Sequence, residues 1–138
     1  MLTIKKDKIV NDPIYGFIKL EKGILFNLIS HPSFQRLRRI SQLGLSNLVY
    51  PGANHTRFQH AIGAMNLMQK TILQIRSKGH LISDQEEEAI KICILLHDIG
   101  HGPFSHALEH SITKKITHEN ISLLLMKRLN KEFSGKLS

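Results

Sequence analysis

Hydrophobic and polar positions change their period early in this chain. In NDPIYGFIKL, residues 11–20, the apolar side chains of Ile14, Phe17, Ile18 and Leu20 sit around the turn residues Asp12, Pro13 and Gly16. That pattern predicts a short extended hairpin. From Gly23 onward the spacing becomes helical. Gly23 to Ser30 predicts a short helix that stops at His31-Pro32, because proline pushes the preceding residue out of the helical region. Ser33 to Leu43 predicts a second helix, with Phe34, Leu37 and Ile40 inward and Arg36, Arg38 and Arg39 largely outward, on a solvated face or reaching a nucleotide or a partner subunit. LSNLVYPGANH reads as a loop.

Thr56 with Gln59 has the spacing of a capping box and opens a long helix. Its Phe58, Ile62, Met65, Met68, Ile72 and Ile75 share one face, and Gly79 suits its C-terminal end. Ser83 with Glu86 repeats the capping spacing, and the acidic residues 86–88 oppose the positive end of the helix dipole. From Ala89 to Leu96 only Lys91 is polar, which predicts a central, mostly buried helix closed by His97 and Asp98. Gly100 and Gly102-Pro103 break the chain. A short helix is expected from about Ser105 to Ser111, and THENISLLLMKRLNKEF predicts the last one. The expected fold class is all-α with a small N-terminal β-hairpin.

Composition narrows the setting. The chain has 138 residues, enough for one core. Its longest apolar run, Ile92 to Leu96, is far too short for a membrane span, and MLTIKKDKIV lacks the apolar segment of a signal peptide. The single cysteine, Cys93, has no disulfide partner and is expected to pack as a small hydrophobe. These features point to a cytoplasmic protein with no membrane association. The net charge of +8, with pI about 9.8, suits anionic partners: nucleotides, nucleic acid or an acidic protein.

The chemistry concentrates in LLHDIGHGPFSHALEH. Asp98 follows an apolar run, where an unpaired carboxylate would be strongly penalised. A divalent cation held by imidazole and carboxylate would resolve that cost, and so would mutual hydrogen bonding of His97 and Asp98. His60, His101, His106 and His118 add weight to the metal. No CxxC or HExxH pattern, no P-loop and no GxSxG elbow occurs, which sets aside thiolate zinc sites, zincins, P-loop NTPases and serine hydrolases of that type. His31, His55 and His80 read as surface or turn residues, and His110, which could share a helix face with His106, reads as structural or solvent-exposed.

RFQH, HDIGHGPFSH and THE, in that order, resemble the HD-domain phosphohydrolases. Within them the likeness is to the deoxynucleoside triphosphate triphosphohydrolases, including the sterile-alpha-motif-and-HD-domain type. DPIYGFIKL, FQRLRRISQLG and YPGANHTRFQH extend the resemblance over most of the chain. It implies an HD-domain helical bundle with His60, His97 and Asp98 as three of four ligands to a divalent metal, whether Fe, Mn, Zn, Mg, Ni or Co. It also implies that His101 acts near the leaving group or attacking water, and that Glu109 stands where the family has a catalytic aspartate. His118 matches a further active-site histidine, Arg57 and His106 match phosphate contacts, and Gln42 faces the sugar. The implied reaction releases deoxynucleoside and triphosphate from a deoxynucleoside triphosphate, in a homo-oligomer. One departure matters: the family's fourth ligand is a downstream aspartate, and none follows Asp98. The resemblance therefore divides the chain into a hairpin segment, 1–22, and the N-terminal part of an HD domain, 23–138, truncated before the last ligand. Glu119 as a substitute ligand, another nucleotide as substrate, or a silent HD module that binds nucleotide or nucleic acid are the alternatives.

Overall fold

The computed structural model describes residues 8–20, 22–104 and 117–137. Strands β1 (Lys8–Asp12) and β2 (Gly16–Leu20) pair antiparallel, with Val10 opposite Ile18. Asp12 sets the turn, its carboxylate accepting from the amides of Ile14 and Tyr15 at 2.9 Å each. Successive side chains of a strand point to opposite faces. Ile18 and Leu20 accordingly join the core, whereas Phe17, the intervening Lys19 and the turn residue Ile14 are exposed.

Helix α1 (Ile24–Ser30) buries Leu28 and Ile29 and ends at His31 as expected. The helix expected over 33–43 does not run through. Helix α2 covers only Pro32–Gln35, and the chain then tightens into a 3-10 turn over Arg36–Arg39. Its inward residues Phe34, Leu37 and Ile40 are all buried, as expected, and their spacing of three is the 3-10 period rather than the α period. At Ile40 the backbone becomes extended. Residues 40–42 then lie alongside 55–57, through Gln42 N–H to the His55 carbonyl at 3.0 Å and Arg57 N–H to the Ile40 carbonyl at 2.8 Å. The intervening loop holds one more 3-10 turn, Ser46–Leu48.

Helices α3 (Arg57–Ser77) and α4 (Asp84–Leu96) each begin with the expected capping box. Gly79 follows α3 with φ +88°, a conformation in which glycine carries no Cβ penalty. The two helices run in opposite directions, Arg76 beside Glu87 at one end and His60 beside His97 at the other. On α4, residues 91, 92, 95 and 96 are buried, while Ala89, Ile90 and Cys93 are exposed. At 3.6 residues per turn, one face buries and the opposite one cannot. The helix is therefore half-buried rather than mostly buried, and Cys93 is not packed as expected.

Helix α5 (His118–Glu132), capped by Thr117, contributes Leu129 to the core shared by the hairpin, α1, α2, α3 and α4. The short helix expected near 105–111 lies outside the described residues. The fold is all-helical with a small N-terminal hairpin, as the sequence predicts. Among the described residues no helix is long and apolar enough to cross a membrane.

Candidate metal centre

The C-terminal end of α4 meets the first turn of α3. His97 caps α4, Asp98 follows it, and His60 faces both from α3. His60 Nε2 lies 3.4 Å from His97 Nε2 and 3.8 Å from Asp98 Oδ2. His97 Nε2 lies 3.5 Å from Asp98 Oδ1. The two imidazoles meet different oxygens of the Asp98 carboxylate, and one ligand atom from each of the three residues lies within 4.8 Å of the others, close enough to share one divalent ion. Two imidazoles and one carboxylate also form a suitable donor set for such an ion.

Protonation favours the same arrangement. His97 Nδ1 lies 2.6 Å from the Ile94 carbonyl, which can only accept. Nδ1 therefore carries the proton and Nε2 presents its lone pair toward His60 and Asp98, the usual way a second hydrogen bond orients a ligating histidine. Burial pushes the His60 imidazole below its ordinary value, against the pull of Asp98 upward, and His97, Arg57 and His55 push it further down. Near neutral pH His60 is thus the neutral base that a metal requires.

Arg57, the first residue of α3 and 2% exposed, donates from Nη1 to Asp98 Oδ2 at 2.6 Å. Its Nη2 reaches the Gln42 carbonyl at 3.5 Å, so the extended stretch 40–42 brings Gln42 to the site's edge. His101 is also 2% exposed, with Nε2 3.6 Å from Asp98 Oδ1. Its ring stacks on that of His118, with centroids 3.8 Å apart and planes inclined by 17°. Asp98, His101 and His118 are close enough to form a second donor group. Ring-nitrogen lone pairs lie in the ring plane, however, and two nearly parallel rings cannot aim them at one ion. The stacked pair suits proton transfer or an anion better than a second cation.

Two residues outside the expected ligand and catalytic set hold this turn. Ser122, 4% exposed on α5, accepts from Gly100 N–H at 2.9 Å and donates to the His97 carbonyl at 3.1 Å. The approach is so close that a Cβ at Gly100 would meet the His118 carbonyl and the Ser122 amide. Glycine is required there for contact, and not only for the turn that sequence suggests. Arg36, expected on a largely outward face or toward a nucleotide or partner, donates to the carbonyls of Ile99 and His101. The spacing of three at 34, 37 and 40 hints at the turn that carries Arg36, though not at what its side chain reaches.

The described residues thus bring together Gln42, Arg57, His60, His97, Asp98, His101 and His118. His106, Glu109 and His110 lie outside them. His31 is placed elsewhere: its Nδ1 accepts from Ser33 N–H at 3.2 Å and its Nε2 meets Glu132 at 3.0 Å. His55, His80 and Glu119 are exposed. Beside His60, a cavity of about 690 Å³ opens between the hairpin turn, residues 52–55 and α3.

Residues 57–134 match the family described as the HD domain. The deoxynucleoside triphosphate triphosphohydrolase SAMHD1 of Bos taurus is 38% identical over 130 residues, which are 88% of this chain and 22% of that protein. An uncharacterized protein of Methanocaldococcus jannaschii is 40% identical over 142 residues, 94% of this chain and 30% of that one. The crystal structure of a phosphohydrolase from Bacteroides thetaiotaomicron superposes with a TM-score of 0.93 at 57% identity, covering 96% of this chain and 33% of that one. The chain therefore spans between a fifth and a third of the lengths of these relatives.

Proposed function

Because the chain belongs to the HD-domain family of phosphohydrolases, we propose that it hydrolyses deoxynucleoside triphosphates to deoxynucleoside and triphosphate. The observation that carries this reading is the cluster of His60, His97 and Asp98, one ligand atom of each lying within 4.8 Å of the others. These three residues would hold a divalent cation. A bound cation lowers the pKa of its water and polarises the phosphoryl oxygen.

The remaining roles fall to the residues around the cluster. Arg57 fixes the Asp98 carboxylate and presents positive charge at the N-terminus of α3, where phosphate oxygens are favoured. His101 delivers a proton to the 5′ oxygen as water attacks the α-phosphorus and the bond between them breaks. His118, stacked on it, is the further active-site histidine, His106 contacts the phosphates with Arg57, Glu109 supports His101 as its carboxylate partner, and Gln42 faces the sugar. The cavity beside His60 is within the ordinary size range of small-molecule sites. In this reading residues 23–138 are the N-terminal part of an HD domain preceded by the hairpin segment, and the working enzyme is a homo-oligomer of a longer protein in the cytoplasm.

Incubating the chain, and a longer polypeptide extended to the length of its relatives, with Mn²⁺ and each deoxynucleoside triphosphate tests the reading. Release of inorganic triphosphate that disappears in Asp98→Ala is the expected result. Hydrolysis of other nucleotides alone would move the substrate to another phosphoester. Salt-sensitive binding of nucleic acid without turnover would replace the enzyme by a silent HD module.

A further inference from the structure

We infer that Arg36 is a positioning residue for the metal-binding turn, holding the backbone of residues 99–101 so that His97, Asp98 and His101 keep their mutual geometry. The inference rests on the metal-centre reading above and assigns to it a residue from a distant part of the chain. Arg36 Nη1 donates to the His101 carbonyl at 2.7 Å, and Nη2 donates to the Ile99 carbonyl. These carbonyls lie just beyond the C-terminal end of α4, where main-chain acceptors have no intrahelical donor and the helix dipole is negative. A planar, permanently charged fork satisfies both at once; a lysine ammonium cannot span them with the same geometry.

The fork starts from a rigid base. Its neighbours Phe34 and Leu37 are both fully buried, so the 3-10 turn that carries Arg36 has little freedom to shift. Burial lowers the Arg36 guanidinium from its ordinary value without discharging it near neutrality. From the opposite side Ser122 engages the Gly100 amide and the His97 carbonyl. Four main-chain groups of the turn are thus held from two sides, two by α5 and two by Arg36. His97 and Asp98 sit at the start of that turn and His101 at its end, only 3.6 Å from the Asp98 carboxylate. Removing the fork takes a charged donor from each of these two carbonyls and lets this spacing relax.

The test is calorimetric titration of the folded chain with Mn²⁺, comparing wild type, Arg36→Ala, Arg36→Lys and the remote core variant Ile72→Ala. Arg36→Ala is expected to weaken Mn²⁺ binding by about tenfold to hundredfold, the scale seen when an outer partner of a metal site is lost. Arg36→Lys should recover part of the loss, and Ile72→Ala should lower thermal stability with unchanged affinity. Unchanged affinity in the Arg36 variants, or an equal loss in Ile72→Ala, would overturn the inference. Should Arg36→Ala not fold, Arg36→Lys decides alone by the same criterion. A wild-type chain that takes up no Mn²⁺ overturns the metal reading and the inference together, whereas wild-type binding with unaffected variants overturns only the role of Arg36.

Discussion

The pair formed by α3 and α4 is polar at both ends, yet the two ends are built differently. At the end nearest the connecting turn, Arg76 pairs with Glu87, and buried Lys91 donates to Glu87 at 2.9 Å and to Gln69 at 2.7 Å. The Gln69 amide returns a hydrogen bond to Glu87 at 2.9 Å. Donors and acceptors alternate, and every charge meets its complement. At the other end two imidazole nitrogens face each other at 3.4 Å, each also turned toward the same carboxylate. Arg57 answers the Asp98 charge there, yet the three side chains still gather potential ligand atoms within reach of a single cation. Buried polarity alone does not mark a site; convergence of one kind of group does.

The largest effect is expected from removing a donor at the converging end. His97→Ala should lower Mn²⁺ affinity and turnover by more than the roughly hundredfold typical of an outer partner. Because the His97 side chain is 38% exposed, the same variant should unfold within about 1 kcal/mol of wild type in urea. Gly100→Ala attacks the comparison from the α5 side. Its Cβ meets main-chain atoms of His118 and Ser122 that cannot swing away, so a loss of about 3 kcal/mol is expected by the same denaturation, with weakened Mn²⁺ binding.

Lys91→Ala should give the converse of His97→Ala. Stability is expected to fall by about 1–3 kcal/mol, since Glu87 and Gln69 lose a buried donor, while Mn²⁺ affinity stays at the wild-type level. Loss of metal binding in Lys91→Ala would break the contrast between the two ends. The smallest effect concerns pH. The hydrogen bond from Lys91, with further help from the Lys91 charge, Arg76 and Gln69, holds the Glu87 carboxyl below its ordinary value of 4.5, against desolvation. A depressed folded value means the contribution is fully present above 4.5 and is lost as pH falls below it through the folded value. Urea midpoints measured from pH 6 to pH 3 should decline in wild type and decline less steeply in Glu87→Gln.

Sequence carried most of the helical layout because its signals were local. Both capping boxes, at Thr56 and Ser83, and the stop at His31-Pro32 depend on residues within one turn of each other. The helix expected through 43 failed because a spacing of three can be read as an α-helical face or as a 3-10 turn, and only the packing of Leu37 and Ile40 decides. Cys93 illustrates the same limit, since an unbroken apolar run hides which face of α4 meets solvent. Residue type and family resemblance singled out His60, His97 and Asp98, which the fold brings together. Arg36 and Ser122 were not legible in this way, because an arginine or serine that serves distant main-chain groups leaves no periodic trace in the sequence.

The most direct measurement is elemental analysis of the purified wild-type chain beside Asp98→Ala. About one divalent transition-metal ion per wild-type chain is expected, absent from the variant, because Asp98 supplies the carboxylate of the three-residue cluster. A folded wild-type chain that holds no metal, or an Asp98→Ala variant that retains it, would contradict the account.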